Sequence, residues 1–221
     1  MRWCLCLLLI VALSPNGRSA NAQEPHPLQM KLEGLWSRES GGAAPETLLD
    51  LQAEGILTAE AESYRLTWKI EEHDDEALCR PRSPAAFAGS AADFEIFDRK
   101  DAIYIIVFEQ VRRVYLDGRE RPVSFWPNKV GWSDGYWDGN TLVVRTNDFT
   151  EGAIPSPEPL VFGGPDAELI ERYTLSEDAS RLSVQLNLHD PKYYLYPMEF
   201  SFNFVRSETT LHGEVCIPSL Y

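Results

Sequence analysis

Ala102-Ile103-Tyr104-Ile105-Ile106-Val107-Phe108-Glu109-Gln110-Val111-Arg112-Arg113-Val114-Tyr115-Leu116 runs into Asp117-Gly118, and the reading of this stretch decides the fold. It is dominated by β-branched and aromatic residues, which suit a pleated, half-buried surface. The segment reads as one long strand or a bent pair, ended by a favoured tight-turn dipeptide. With regular pairing, Ile103, Ile105 and Val107 share a face with Glu109, Val111, Arg113 and Tyr115. Tyr104, Ile106, Phe108, Gln110, Arg112 and Val114 then take the other. Both faces are apolar early and more polar late, as in a strand running from core to rim. Burying Glu109 and Arg113 is costly unless they pair or meet a ligand. They are therefore the first candidates for a site, with a structural ion pair or simple exposure as the alternative.

Working outward, the period of two recurs. Phe94 to Phe97 is a strand turned at Asp98 to Asp101. Asp138-Gly139-Asn140 turns into the β-branched run Thr141 to Thr146, and Leu169 to Leu175, Arg181 to Leu188, Tyr196 to Val205 and Leu211 to Cys216 complete the set. In Arg181 to Leu188, Leu182, Val184, Leu186 and Leu188 form a core face under the solvated Gln185 and Asn187. Upstream, Leu32 to Trp36 opens a first strand. Thr58-Ala59-Glu60 looks like an N-cap with an acid in the first helical turn. Ala61, Tyr64 and Trp68 then recur at helical spacing as far as Ile70, although Tyr64, Leu66, Trp68 and Ile70 also alternate. Glu151 to Asp166 holds four prolines and three glycines and reads as a long irregular loop that binds or caps something. Seven or eight strands with one or two short helices near the N-terminus predict a meandering antiparallel sheet, and closing it into a barrel removes exposed edges.

The chain has 221 residues, 20 Lys+Arg against 34 Asp+Glu, and a formal net charge of -14. A phosphate-backbone binder needs the opposite balance, so nucleic acid is not an expected partner, and neither is an anionic membrane. Met1-Arg2, the apolar run Trp3 to Leu13 and the small-x-small site Ala20-Asn21-Ala22 read as a signal peptide over residues 1–22, too short to span a bilayer. Cleavage near Ala22 removes two arginines and no acid, leaving a single domain, 23–221, at -16. The expected location is the periplasm or the medium. In such a compartment Cys79 and Cys216, the two cysteines left, are expected to bridge.

Catalytic patterns are sparse. His26, His73, His189 and His212 have no zinc-ligand spacing, and no metal or cofactor is expected. Gly131-Trp132-Ser133-Asp134-Gly135 formally fits Gly-x-Ser-x-Gly, but it sits among turns in an all-β region and not at a strand-to-helix elbow. Trp126, Trp132, Tyr136 and Trp137 crowd beside Asp134 and Asp138. Such aromatics stack on sugars or flat ligands, or pack a hairpin on the core. Leu169, Glu171 and Tyr173 share a face away from Arg172, and Arg145 and Asn147 follow Thr141 and Val143.

Residues Cys79 to Cys216 resemble a family of exported bacterial proteins of unassigned function. The resemblance rests on Cys79-Arg80-Pro81, Phe94-Glu95-Ile96, Glu109 to Arg119, Gly131 to Val144, Glu171-Arg172-Tyr173 and Asp190-Pro191-Lys192-Tyr193. Gly34-Leu35-Trp36 also looks like the Gly-x-Trp opening of lipocalin-like barrels. The resemblance implies a mainly β, antiparallel lipocalin-like or calycin-like barrel whose polar positions line the lumen or mouth. Glu109, Arg112, Arg113, Tyr115, Asp117, Trp137, Glu171 and Arg172 keep its pattern. Arg121, Trp132 and Glu168 stand where the family usually shows His. Acid-base work near neutral pH favours His, so these departures favour binding over catalysis.

Two functions follow as expectations. One is a barrel binding a small, largely apolar molecule with a polar group, using Arg112, Trp132, Arg145, Glu168 and Tyr173. The alternative is a cofactor-independent cyclase, isomerase, dehydratase or hydrolase with Glu109, Arg113, Tyr115 and Glu171 in one cavity.

Overall fold

The computed structural model describes residues 26–39, 55–75, 77–87, 92–107, 110–154, 160–164 and 166–209. The signal segment, Glu109, the Leu211 to Cys216 strand and Cys216 lie outside these residues. Nine strands close a barrel: β1 (Gly34–Arg38), β2 (Phe94–Arg99), β3 (Ala102–Val107), β4 (Gln110–Tyr115), β5 (Trp132–Asp138), β6 (Thr141–Asn147), β9 (Glu168–Leu175), β10 (Arg181–His189) and β11 (Met198–Ser207). Their order around the wall is β1-β11-β10-β9-β6-β5-β4-β3-β2. Strands β7 (Gly152–Ile154) and β8 (Leu160–Phe162) form a separate two-stranded sheet. The Pro- and Gly-rich segment expected to be irregular is thus partly paired, and β7 packs on the short 3-10 turn Pro84–Ala86.

The wall departs from a pure antiparallel meander at two places. β4 and β5 run parallel, with Val114 opposite Ser133 and Tyr115 opposite Asp134. Asp117-Gly118 therefore leads into a crossover over residues 116–131 and does not make a hairpin. A parallel pair needs such a long connection. β6 then skips the small sheet to pair with β9. The crossover is pinned at its far end, where Asn128 Oδ1 accepts from the amides of Val130 and Gly131 at 2.9 and 3.0 Å. Gly131 has φ of +74°, and a Cβ there would lie 2.6 Å from the Asn147 carbonyl oxygen, so the entry to β5 requires glycine.

Three helices complete the described chain: α1 (Gln29–Leu32), α2 (Ala59–Thr67) and α3 (Ile70–His73). The Thr58 side chain accepts from the Ala61 amide, the expected cap, and Ala61 is buried. Helix resolves the ambiguity over residues 58–67, since packing of one face against the core needs only Ala61 and Tyr64 inward. The core is the barrel interior, where Trp36, Ile96, Ile103, Val114, Leu142, Leu169, Leu182 and Phe204 are buried.

The deciding stretch is a hairpin. Val107 pairs with Gln110, Ile105 with Arg112 and Ile103 with Val114. With Val107 opposite Gln110, odd positions face inward in β3 and even positions face inward in β4. The expected common face of Ile103, Ile105, Val107 and Arg113 is therefore corrected. Arg112 is buried and Arg113 is exposed.

Candidate functional site

The inward side of β4, β5, β6 and β9 carries the polar residues of the barrel interior. Arg112 on β4 is 3% exposed and Glu171 on β9 is 3% exposed. Their side chains form a two-armed ion pair: Nη1 donates to Oε1 at 3.0 Å, and Nη2 donates to Oε2. Arg112 Nε also donates to Ser133 Oγ at 3.0 Å, and Nη2 donates to Thr146 Oγ1 at 2.9 Å. Ser133 and Thr146 hydroxyls share a 2.9 Å hydrogen bond. Tyr173, two residues along β9, donates its phenol proton to Glu171 Oε1 at 2.8 Å. Four neighbouring strands thus each contribute to one buried network.

Its electrostatics are set by burial. Burial pushes the Tyr173 phenol well above its ordinary range, and the adjacent Glu171 charge adds to the rise. Tyr173 is therefore a neutral donor at physiological pH. Burial pulls the Arg112 pKa down, but the charge and hydrogen bonds of Glu171 outweigh it and raise it overall. The planar guanidinium matches the carboxylate fork.

This network forms one wall of a small cavity of about 40 Å³. The other walls are apolar, among them Phe87, Phe94, Val107, Val184, Phe202 and Phe204. The volume suits a few ordered waters at most. Gln110 lines the cavity and clamps the segment before the 3-10 turn: the Arg82 amide donates to Gln110 Oε1 at 2.7 Å, and Gln110 Nε2 donates to the Arg82 carbonyl at 2.5 Å. Phe87, five residues further on than Arg82, lies in the cavity wall.

The other expected site residues lie on the outer wall. Arg113 stacks over the rings of Tyr104 and Tyr115, 4.9 and 5.7 Å from their centres. Tyr115 stacks on Trp132 at 4.5 Å. Arg145 pairs with Glu168 across 3.1 Å. Asp134 is half-buried beside them, its carboxyl pKa raised chiefly by burial and partly offset by Arg145. Arg121, the further position where the resemblance expects His, pairs with Asp148 at 2.9 Å.

Of the nine expected site residues, Arg112, Glu171 and Tyr173 come together inside. Arg113, Tyr115, Trp132, Arg145 and Glu168 lie outside, and Glu109 falls beyond the described residues. Ser133 lies on a strand, not among turns, and its hydroxyl is engaged by Arg112 and Thr146. Ser133 and Thr146 were missed as network members. The signal available was parity: once Glu171 faces inward with Leu169, a buried cation and hydroxyls on adjacent strands must answer it. Comparison with protein-family models, curated proteins and solved structures finds no match to this chain, so the site is read from its own geometry.

Proposed function

We infer that this chain is an exported, lipocalin-like barrel that binds a small, largely apolar molecule with a polar group. The observation that carries the reading is the Arg112–Glu171–Tyr173 cluster on one wall of an otherwise apolar interior. A buried ion pair is weak support for stability compared with apolar packing of similar volume. Its presence beside phenylalanines fits a ligand whose polar end meets the guanidinium or phenol while its body meets the rings. At 40 Å³ the cavity admits such a molecule only if its wall moves, and the segment we assign that movement to is 82–87, which carries Phe87 and is held by Gln110.

The enzymatic alternative needs Glu109, Arg113, Tyr115 and Glu171 in one cavity, and Arg113 and Tyr115 sit on the opposite face of the wall from Glu171. Binding is the better-supported reading. Native mass spectrometry of gently purified protein tests it. A co-purifying small molecule, displaced when Phe202→Trp fills the interior, is the expected result. A ligand-free protein that takes up no apolar alcohol, acid or ketone saturably would overturn the proposal.

A further inference from the structure

A second pocket lies on the outside of the barrel, roofed by the 116–131 crossover. It is an open-mouthed pocket of about 380 Å³, within the roughly 300–1,000 Å³ of ordinary small-molecule sites. Its walls are Tyr115, Pro122, Phe125, Val130 and Trp132, with Arg113 at one side. The aromatic surface is ordered: Tyr115 stacks on Trp132 with an interplanar angle of 24°, and Phe125 meets Trp132 edge-on at 5.5 Å.

Arg113 differs from the other basic residues near the crossover. Arg119 is forked by Asp117 and Asp101, and Arg121 is paired with Asp148. No carboxylate pairs with Arg113 among the described residues. Its guanidinium is held by Tyr104 and Tyr115 faces and by a 3.4 Å contact from Nη1 to the Tyr115 hydroxyl oxygen. It is thus a positioned cation with donors to spare, next to a flat apolar surface, in a chain of net charge -14.

We propose that this outer pocket binds a small aromatic carboxylic acid, its carboxylate on Arg113 and its ring among Tyr115, Phe125 and Trp132. One guanidinium matches one carboxylate in two-armed geometry. Arg119 and Arg121 also lie over pocket rings, 4.5 Å from the Tyr115 centre and 5.9 Å from the Phe125 centre. Their charges are taken up by Asp117, Asp101 and Asp148, so a di- or trianion such as a phosphate ester finds one unpaired cation among the described residues there and a strongly acidic chain. The ring supplies the apolar area that the walls require, with offset or edge contacts. The pocket is distinct from the interior cavity, with which it shares no lining residue. Arg113 and Trp132 face outward while Arg112 faces inward, and Ser133, which touches the outer pocket, turns its hydroxyl to Arg112 and Thr146.

Calorimetric titration with 2-naphthoate tests this on the full mature chain. Saturable binding is expected, weakened at least tenfold by Arg113→Gln and nearly lost with the neutral 2-naphthamide. Arg113 is exposed, so the variant should keep the parent far-ultraviolet spectrum. Phe202→Trp, which fills the interior, should leave naphthoate affinity unchanged. Should that variant not fold, a naphthoate-dependent shift of the Trp132 indole resonance in the parent protein serves the same purpose. Absence of saturation, equal binding by Arg113→Gln or the amide, or loss of binding in folded Phe202→Trp would each overturn the proposal.

Discussion

Arg112 and Glu171, 59 residues apart in sequence, meet over the two intervening strands of one barrel wall as a two-armed ion pair, each side chain 4% exposed. Removing one partner leaves an uncompensated charge without water. Arg112→Met or Glu171→Leu alone should therefore cost about 3–5 kcal/mol. The double variant should be more stable than either single one, because no charge is stranded. Urea unfolding of the four proteins gives the coupling directly, and additive losses would contradict the burial described above.

Tyr173 makes stability depend on pH at the alkaline end. Its folded pKa is raised above the ordinary 10.0, so above about pH 10 the unfolded chain loses a proton that the folded chain keeps. Stability falls as pH rises through that range and is unaffected by this group below it. Tyr194, buried beside Asp190, is raised in the same direction by burial first and the Asp190 charge second. Urea midpoints between pH 8 and 11 should decline, and less steeply in Tyr173→Phe. That variant should also lose about 1–2 kcal/mol at pH 7 with the hydrogen bond to Glu171.

Arg206 ties the two ends of the barrel sequence together. Its guanidinium lies 4.5 Å from the Trp36 ring centre, and Nη1 and Nη2 donate to the carbonyls of Glu33 and Lys31 at 2.7 and 2.5 Å. Arg206→Ala should lower stability by about 2 kcal/mol. Arg206→Lys should recover only part, since an ammonium cannot reproduce the planar fork. Thermal unfolding followed by Trp fluorescence reads both.

The expected Cys79–Cys216 bridge gives a test of compartment as well as of fold. In protein recovered from an oxidising compartment, alkylation should add no label to these cysteines before reduction and two labels after it. In the chain-entropy picture a loop of more than a hundred residues is worth on the order of 5 kcal/mol. The reduced protein should therefore unfold at a clearly lower urea concentration. Two labels without reduction would remove the bridge.

Strands were legible where side chains alternate cleanly, as in Arg181–His189, whose buried and exposed positions follow the sequence pattern one by one. Helix α2 was legible from its Thr58 cap. Strand β5, Trp132–Asp138, was not, because Ser133, Asp134, Gly135 and Asp138 have low β-propensity. Its pairing to β4 and β6 forms it despite composition. The exchange of Arg113 for Arg112 as the inward arginine has a single cause. The pairing of Val107 with Gln110 reverses parity between β3 and β4, and no pattern within a continuous apolar run reveals where two strands pair back on each other. Glu171 and Tyr173 were placed on a common face from Leu169 onward because no turn intervenes.

The seam between Gly34–Arg38 and Met198–Ser207 joins the earliest and latest strands of the ring. A ribosome must finish almost the whole domain before the cylinder can shut. Until then two unpaired borders and the apolar inner faces of the earlier strands stay open to neighbouring chains, so truncation ahead of Met198 is expected to yield inclusion bodies and not a smaller soluble protein.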